Sequence, residues 1–272
     1  MSIETVQIAS LRSLYIEMFY NDVRLSKGTA FVVVNGDFLY LITNRHNVTG
    51  IANDGSGKII SDSGGVPNKI KIYCVKEQTK QSHGGLFKEF NLGDIGEWVT
   101  KVQNLYLGGN EPGLDEIKWI EHPIHGENAD FVAIKIEDTS GAIFHSYDLH
   151  PKPCDKFQIP EKVYVIGFPF GKSVAGKFAL WSGGTIASEP DFDFEELPCM
   201  LIDCRSRQGQ SGSPVIRHLP HQDPSPYGNG FRVIDDNSDL LGIYSGRINA
   251  NSDLGRVWKR HAIKELIDSI GT

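Results

Sequence analysis

The sequence is poor in features that mark several large classes of protein. Cysteine occurs only four times in 272 residues, at Cys74, Cys154, Cys199 and Cys204. The spacing matches no common zinc pattern, and the count is low for a secreted protein of this size held by disulfides. We therefore expect free, mostly buried thiols and no bound metal.

An excess of basic residues, a leader segment and long apolar runs are missing as well. Lys and Arg number 27 against 34 Asp and Glu, a net charge of −7, whereas dedicated nucleic-acid binders are usually basic. The start, Met1-Ser2-Ile3-Glu4-Thr5, has no positive region followed by an apolar stretch. No apolar run approaches the roughly 18 residues of a membrane span. These absences favour a cytoplasmic protein without nucleic-acid or membrane partners.

Alternating and apolar segments predict strands along most of the chain. Turn signals separate them, such as Asn35-Gly36-Asp37, which is typical of a hairpin. The predicted strands fall into a first group, 14–20, 29–34, 38–43, 70–75, 98–107 and 129–136, and a second group, 162–166, 178–186, 199–204, 214–217, 231–234 and 240–244.

The remaining segments read as loops and one helix. Loops are predicted at 50–66, 76–94 and 218–230, which are rich in polar residues, glycine or proline. A C-terminal helix is indicated by apolar residues at helical spacing, namely Trp258, Ala262, Ile263, Leu266, Ile267 and Ile270.

A serine between two glycines is the main candidate for chemistry. Ser211 lies in Gly209-Gln210-Ser211-Gly212-Ser213-Pro214, directly before the apolar pair Val215 and Ile216. A serine hydroxyl attacks a carbonyl only when a base takes its proton and donors stabilise the resulting oxyanion. Small neighbours allow a substrate to approach closely and let adjacent N–H groups point at one spot. Alone, the motif is equally compatible with a loop between two strands.

A histidine and an aspartate have the context to complete a triad with Ser211. His46 ends a strand-like apolar run, and Asp130 immediately precedes an alternating strand. A histidine can act as the base, and a carboxylate can hold its imidazole. Glu127 and Asp138 are alternatives to Asp130, and a plain surface turn is the alternative for His46. The order His46, Asp130, Ser211 is the order of chymotrypsin-like serine proteases.

The chain resembles the trypsin-like, chymotrypsin-fold serine proteases, in the style of the bacterial HtrA-type and glutamyl-endopeptidase-like members and without a PDZ domain. Four further segments resemble motifs of that family: Thr43-Asn44-Arg45-His46, Asp130-Phe131-Val132-Ala133-Ile134-Lys135, Val165-Ile166-Gly167-Phe168-Pro169-Phe170-Gly171 and Gly242-Ile243-Tyr244-Ser245-Gly246. Five motifs in the family's order are more specific than any one of them.

The resemblance implies a fold and a domain division. It implies an all-β protein of two six-stranded antiparallel β-barrels with a C-terminal helix. The expected first barrel, residues 1–137, carries His46 and Asp130, and a linker follows at 138–160. The expected second barrel, residues 161–255, carries Ser211, and the C-terminal helix covers 256–272.

The resemblance also implies a serine endopeptidase that needs no cofactor and acts on polypeptides. Ser211 is then the nucleophile, His46 the general base and Asp130 the residue that orients the imidazole. The backbone N–H groups of Gly209 and Ser211 are the expected oxyanion donors. Members activated by proteolysis carry an aspartate where this chain has Gln210, so activation of that type is not expected here.

Substrate-binding residues are predicted by the same resemblance. Arg205 would form the floor of the primary pocket, and Tyr244, Ser245 and Gly246 its walls. A cation at the floor would favour an acidic side chain before the scissile bond. The alternatives are that Arg205 points to solvent or pairs with Asp203, and that Ser245 helps to hold Asp130.

Three other motifs carry little weight. The pair His122 and His125 resembles a metal site weakly, and a solvated loop is the favoured interpretation. The stretch 167–173 is too short between its glycines for a phosphate-binding loop. The acidic stretch 191–196 predicts a solvated loop or a partner contact.

One rival to the peptidase hypothesis remains open. A protease fold can serve as a binding or sensor module whose site is inactive or held closed until a partner binds. A regulatory partner or a homo-oligomer would then control the site.

Overall fold

The structure, a computed structural model, describes residues 4–53, 55–77, 97–150, 156–218, 231–234, 238–249 and 251–271. Most of two predicted loops lies outside these residues: loop 76–94 from residue 78 onward, and loop 218–230 from residue 219 onward. Cys154 also lies outside them. Strands dominate the described part of the chain. None of the helices found there is long and apolar enough to cross a bilayer.

A nine-stranded sheet forms the first half of the molecule. Its strands are β2 Leu14–Tyr20, β3 Val23–Asn35, β4 Phe38–Thr43, β5 Lys69–Lys76, β6 Trp98–Asn104, β7 Trp119–Ile120, β8 Val132–Lys135, β9 Ala142–Ile143 and β10 Ser146–Tyr147. Seven follow the order β6-β5-β2-β3-β4-β8-β7, while β9 pairs with β5 and β10 pairs with β3.

This sheet is larger than the predicted barrel of six antiparallel strands. The additional strands β7, β9 and β10 have two residues each, which is too short for alternation to reveal them. The pairing of β10 with β3 is parallel. Both β9 and β10 lie in residues 138–160, the predicted linker, so part of that segment returns along the first sheet.

A closed six-stranded barrel forms the second half. It runs in the order β11-β12-β13-β17-β16-β14, from β11 Lys162–Gly167, β12 Leu180–Ile186, β13 Cys199–Cys204, β14 Pro214–Arg217, β16 Asp239–Arg247 and β17 Leu254–Lys259. The predicted all-β class and the C-terminal helix are confirmed.

Two assignments in the second half were wrong. Strand β15 (Phe231–Ile234), predicted in the barrel, pairs in parallel with β1 (Glu4–Gln7) in a separate two-stranded sheet. Its place in the barrel is taken by β17, whose Trp258 was predicted in the helix but pairs with Cys199 and Ile243. Trp258 lies four positions before Ala262, so it satisfies helical spacing although its backbone is extended.

The helices in the described residues are short. They are α1 Ile8–Arg12, α2 Arg45–Thr49, a 3₁₀ turn Pro169–Gly171 and α3 Arg260–Ser269. Helix α3 buries Ala262, Ile263, Leu266 and Ile267, the apolar face that the sequence predicted. Its C-terminal end is tied to β3, because Asn35 Nδ2 donates hydrogen bonds to the carbonyls of Ile267 and Ile270 at 3.1 and 3.2 Å.

One hydrophobic cluster joins the two sheets. It contains Phe31 and Phe131 from the first half and Phe168 and Trp258 from the second, all fully buried. Full burial of such a side chain stabilises the folded state by about 1.5–3 kcal/mol. The shared core therefore fixes the two sheets against each other, and the candidate site lies where they meet.

Candidate active site

His46 and Asp130 are in direct contact. His46 is the second residue of α2, which is separated from β4 by one residue, and Asp130 lies two residues before β8. His46 Nδ1 lies 2.8 Å from Asp130 Oδ2 and 3.0 Å from Oδ1, and the His46 backbone N–H donates to Oδ1 at 3.1 Å. Because a carboxylate only accepts, Nδ1 carries the proton and Nε2 is left as the acceptor.

Asn44 makes a further contact with Asp130, and the sequence analysis did not identify it as a site residue. The Asp130 side chain is fully buried, and Asn44 Nδ2 donates to the Asp130 carbonyl at 2.6 Å. The sequence signal that could have identified Asn44 is its place in the histidine motif, at a position where a small residue is usual. Among the described residues, no hydrogen bond joins Ser245 to Asp130, the alternative role considered for Ser245.

The alternative carboxylates lie away from the imidazole. Glu127 is exposed and its Oε2 is 3.9 Å from Nη2 of Arg45. Asp138 is also exposed and accepts a hydrogen bond from Lys101 Nζ at 2.7 Å. Asp130 is therefore the carboxylate that the fold brings to His46.

Ser211 lies on a turn that glycines make possible. Gly209 and Gly212 have φ of +94° and +87°. A Cβ on Gly212 would lie 2.0 Å from the Thr29 carbonyl oxygen, and one on Gly209 would lie 2.4 Å from that of Phe168. The turn is bound to β3, because Thr29 N–H donates to Ser211 O and Thr29 Oγ1 donates to Gly209 O, both at 2.9 Å.

Two backbone donors are free at this turn. Within the described part of the chain, the N–H groups of Gly209 and Ser211 donate no hydrogen bond, while both carbonyls are engaged with Thr29. Gly209, Ser211 and His46 line one cavity. The predicted oxyanion donors are thus available to an external acceptor beside the imidazole.

The serine and the histidine are neighbours without being bonded. No hydrogen bond joins Ser211 Oγ to the His46 ring among the described residues, although both residues line the same cavity. Such contacts are often long in enzymes without substrate and tighten when substrate binds.

Gln210 anchors the turn from inside the protein. Its side chain is fully buried, accepts a hydrogen bond from Arg207 N at 2.7 Å through Oε1, and donates to Ser182 Oγ at 2.8 Å through Nε2. Ser182 belongs to β12. A neutral amide therefore ties the turn to the barrel at the position where proteolytically activated family members carry an acid.

The predicted substrate-binding residues are not part of the cavity lining. Arg205 is exposed, and Tyr244 is buried with its hydroxyl in contact with that of Ser206. Burial raises the pKa of Tyr244 to about 12. Ser245 and Gly246 are half-buried. None of the four predicted residues lines the cavity that contains His46 and Ser211, and their role stays a prediction.

Much of the cavity wall comes from two segments that carried no functional signal. They are the start of β3 (25–27) and the loop 50–67, while His46, Asn47 and the turn 208–211 complete the lining. The loop 50–66 was predicted only as an exposed connection. Its contribution could not be read from local composition, because the tertiary fold brings it to the serine.

Two of the weak motifs have structural roles. His122 was predicted in a solvated loop but is buried, and its Nδ1 accepts from the backbone N–H groups of Ile124 and His125 at 3.2 and 3.3 Å. Among the described residues, no group of three or more potential ligands could hold a metal. The acidic stretch is bound to the barrel, since Lys259 Nζ donates to Asp193 at 2.7 Å.

Comparison with known proteins adds evidence on the fold. No protein-family model and no curated protein matches the chain. Among solved structures, a serine endoprotease from Yersinia pestis is similar with a TM-score of 0.50 and 12% identity, over 96% of this chain and 62% of that one. The Rv3671c protease from M. tuberculosis is similar in its active form (TM-score 0.49, 15% identity, 100% and 91% coverage) and its inactive form (0.45, 17%, 97% and 91%). At these identities the likeness shows the fold alone, and the chain has a chymotrypsin-like fold.

Proposed function

We propose that this protein is a serine endopeptidase that hydrolyses polypeptides through Ser211, His46 and Asp130. The observation that carries the proposal is one cavity lined by Ser211, by a histidine bonded to a buried aspartate, and by Gly209 with its free N–H. The fold similarity to solved serine proteases supports it.

The mechanism follows from these contacts. The Ser211 hydroxyl attacks the peptide carbonyl, and its proton passes to His46 Nε2 as the C–O bond forms. Asp130 stabilises the imidazolium through its contacts with Nδ1–H. The oxyanion accepts hydrogen bonds from the Gly209 and Ser211 N–H groups. His46 then protonates the leaving amine, and water hydrolyses the acyl-enzyme by the reverse sequence.

The setting is proposed along with the reaction. The substrate is a polypeptide, and the mechanism uses no cofactor. The buried Gln210 amide supports a turn that needs no proteolytic activation. Control by a partner or by self-association, the cytoplasmic location and the absence of nucleic-acid partners stay predictions.

A binding or sensor role is the second candidate. The observation that favours it is the missing hydrogen bond between Ser211 Oγ and the His46 ring in the described residues. In this hypothesis the hydrogen bond between Ser211 Oγ and the His46 ring forms only when a partner or peptide occupies the cavity.

A fluorophosphonate probe tests the proposal, because it forms an adduct only with an activated serine. We expect one adduct on Ser211, located by mass spectrometry, which His46→Ala and Ser211→Ala abolish. Ser213→Ala is the matched control and should retain labelling, because Ser213 Oγ is buried away from solvent. Labelling of Ser211→Ala at the wild-type rate would refute the assignment. Unlabelled, folded protein that binds peptides would support the second candidate.

A further inference from the structure

The cavity beside Ser211 has one charged end. Its volume is about 100 Å³, and Leu25, Ile60 and Pro67 give it apolar walls. Among the described residues that line it, Lys27 and His46 are the only ionisable ones. Lys27 therefore adds a cation to an otherwise neutral lining next to the proposed nucleophile, and its Nζ lies 3.1 Å from the position of a Cβ on Gly171.

Lys27 is exposed and lies opposite Glu17 in the register of β2 and β3. A Cβ on Gly171 would lie 2.6 Å from Lys27 Cδ, so the aliphatic stem of Lys27 lies against that glycine. Within the described part of the chain, Lys27 forms no ion pair or hydrogen bond through its ammonium. A positioned and unpaired cation is available to a ligand.

The surroundings of Lys27 add positive charge. Arg24 Nη1 lies 3.0 Å from Oε1 of Glu17, the carboxylate opposite Lys27, and Lys177 Nζ lies 3.8 Å from the centroid of the Tyr15 ring. Glu17 is buried and already accepts hydrogen bonds from Tyr73 at 2.8 Å and Arg24 at 3.0 Å. The pKa of Lys177 is lowered, first by burial and further by Lys27 and Arg24. The local excess of cations favours an anion at this end of the cavity.

The cavity lies on the β3 side of Ser211. Ser211 stands between two strands: Thr29 of β3 donates to its carbonyl, and Gly212 donates to the carbonyl of Tyr244 in β16 at 3.0 Å. The family resemblance places the residue before the scissile bond at the end of β16. A peptide that crosses Ser211 from β16 then continues toward β3 and the cavity after the scissile bond.

We propose that the cavity binds the leaving-group side of the substrate and selects a peptide with Asp or Glu at the first or second position after the scissile bond, with Lys27 as the counter-ion. This inference rests on the proposed peptidase function and gives its substrate class. The selecting cation is then Lys27, on the opposite side of the bond from the exposed Arg205.

Cleavage-site profiling tests the inference. Amide-capped peptide libraries, which carry no free C-terminal carboxylate, are digested and the cleaved positions are identified by mass spectrometry. We expect an enrichment of Asp and Glu after the scissile bond of about two- to fivefold in kcat/KM, the range of an exposed ion pair. The enrichment should shrink as salt rises, because salt screens exposed charges.

Charge variants give the decisive comparison. Lys27→Gln should abolish the enrichment, and Lys27→Glu should shift it to Lys and Arg. Lys172→Gln is the matched control, because Lys172 is exposed near the same turn but does not line the cavity. An enrichment that persists in Lys27→Gln, or none in the wild-type protein, would overturn the inference.

Peptide binding separates this inference from the proposed function. The Ser211→Ala variant is titrated with a fluorescent amide-capped acidic peptide and its Glu→Gln analogue, with Lys27→Gln added as a second change. Acid-selective binding that needs Lys27, with no fluorophosphonate adduct on wild-type Ser211, would retain the subsite and reject the peptidase. An adduct on Ser211 with equal binding of both peptides would retain the peptidase and reject the subsite.

Discussion

Removing the Gln210 side chain should loosen the turn that carries the nucleophile. Gln210→Ala deletes two hydrogen bonds of 2.7 and 2.8 Å, to Arg207 N and Ser182 Oγ, from a fully buried position. Each bond contributes about 1 kcal/mol, and the lost methylene about 0.8 kcal/mol more. We expect the free energy of unfolding to fall by about 2–4 kcal/mol, because the buried site is also left partly empty.

The functional effect should follow the same contacts. Without its inner anchor, the turn no longer holds the Gly209 N–H toward the cavity. Loss of one oxyanion donor costs about a hundredfold or more in turnover. We therefore expect fluorophosphonate labelling of Gln210→Ala to slow by up to about a hundredfold in protein that is still folded.

A double-mutant cycle isolates the hydrogen bond to β12. Urea unfolding of wild-type protein, Gln210→Ala, Ser182→Ala and the double variant should give a coupling energy of about 1 kcal/mol with unchanged m-values. Gln158→Ala is the control, because this exposed glutamine should change stability by less than about 0.5 kcal/mol. A coupling near zero, or wild-type labelling of Gln210→Ala, would refute the reasoning.

Three further predictions concern other residues. Asp130→Asn should lower peptide hydrolysis by about four orders of magnitude with little change in melting temperature, because the wrong imidazole tautomer is then favoured. Burial raises the pKa of Cys74 to about 12 and of Cys204 to about 11. Iodoacetamide at pH 8 should therefore modify both thiols only after unfolding, and mass spectrometry would detect the modification. Burial raises the pKa of Glu17, but hydrogen bonds from Tyr73 and Arg24 outweigh burial and leave the pKa below its ordinary value. The Glu17 carboxylate therefore stabilises the folded state above its ordinary pKa, and this stabilisation is lost as the pH falls. In Glu17→Gln, the free energy of unfolding measured with urea should fall less steeply toward acidic pH.

The three proposed catalytic residues could be found from sequence because each has a local context. His46, Asp130 and Ser211 stand beside strands or glycines whose pattern is visible within ten residues. Their partners could not be found in this way. Asn44 meets Asp130, and Gln210 meets Ser182, only after distant strands have paired. A local pattern carries no information on such contacts.

The errors in the second half of the chain have the same origin. Alternation identified Phe231–Ile234 as a strand, which it is, but gave no information on its partner. That partner is Glu4–Gln7, more than two hundred residues earlier in the sequence. Trp258 fitted two periodicities, and its pairing with Cys199 and Ile243 decided between them. Strand existence is thus a local property and strand placement is not.

The contacts that hold the nucleophile turn are neutral. Thr29 binds it from the first sheet, Gln210 joins it to Ser182, and Tyr244 accepts from Gly212. None of these groups gains or loses a proton near neutral pH. Assembly of the turn should therefore not depend on pH there, and a pH dependence of Ser211 labelling near neutral pH would not report loss of the oxyanion donors.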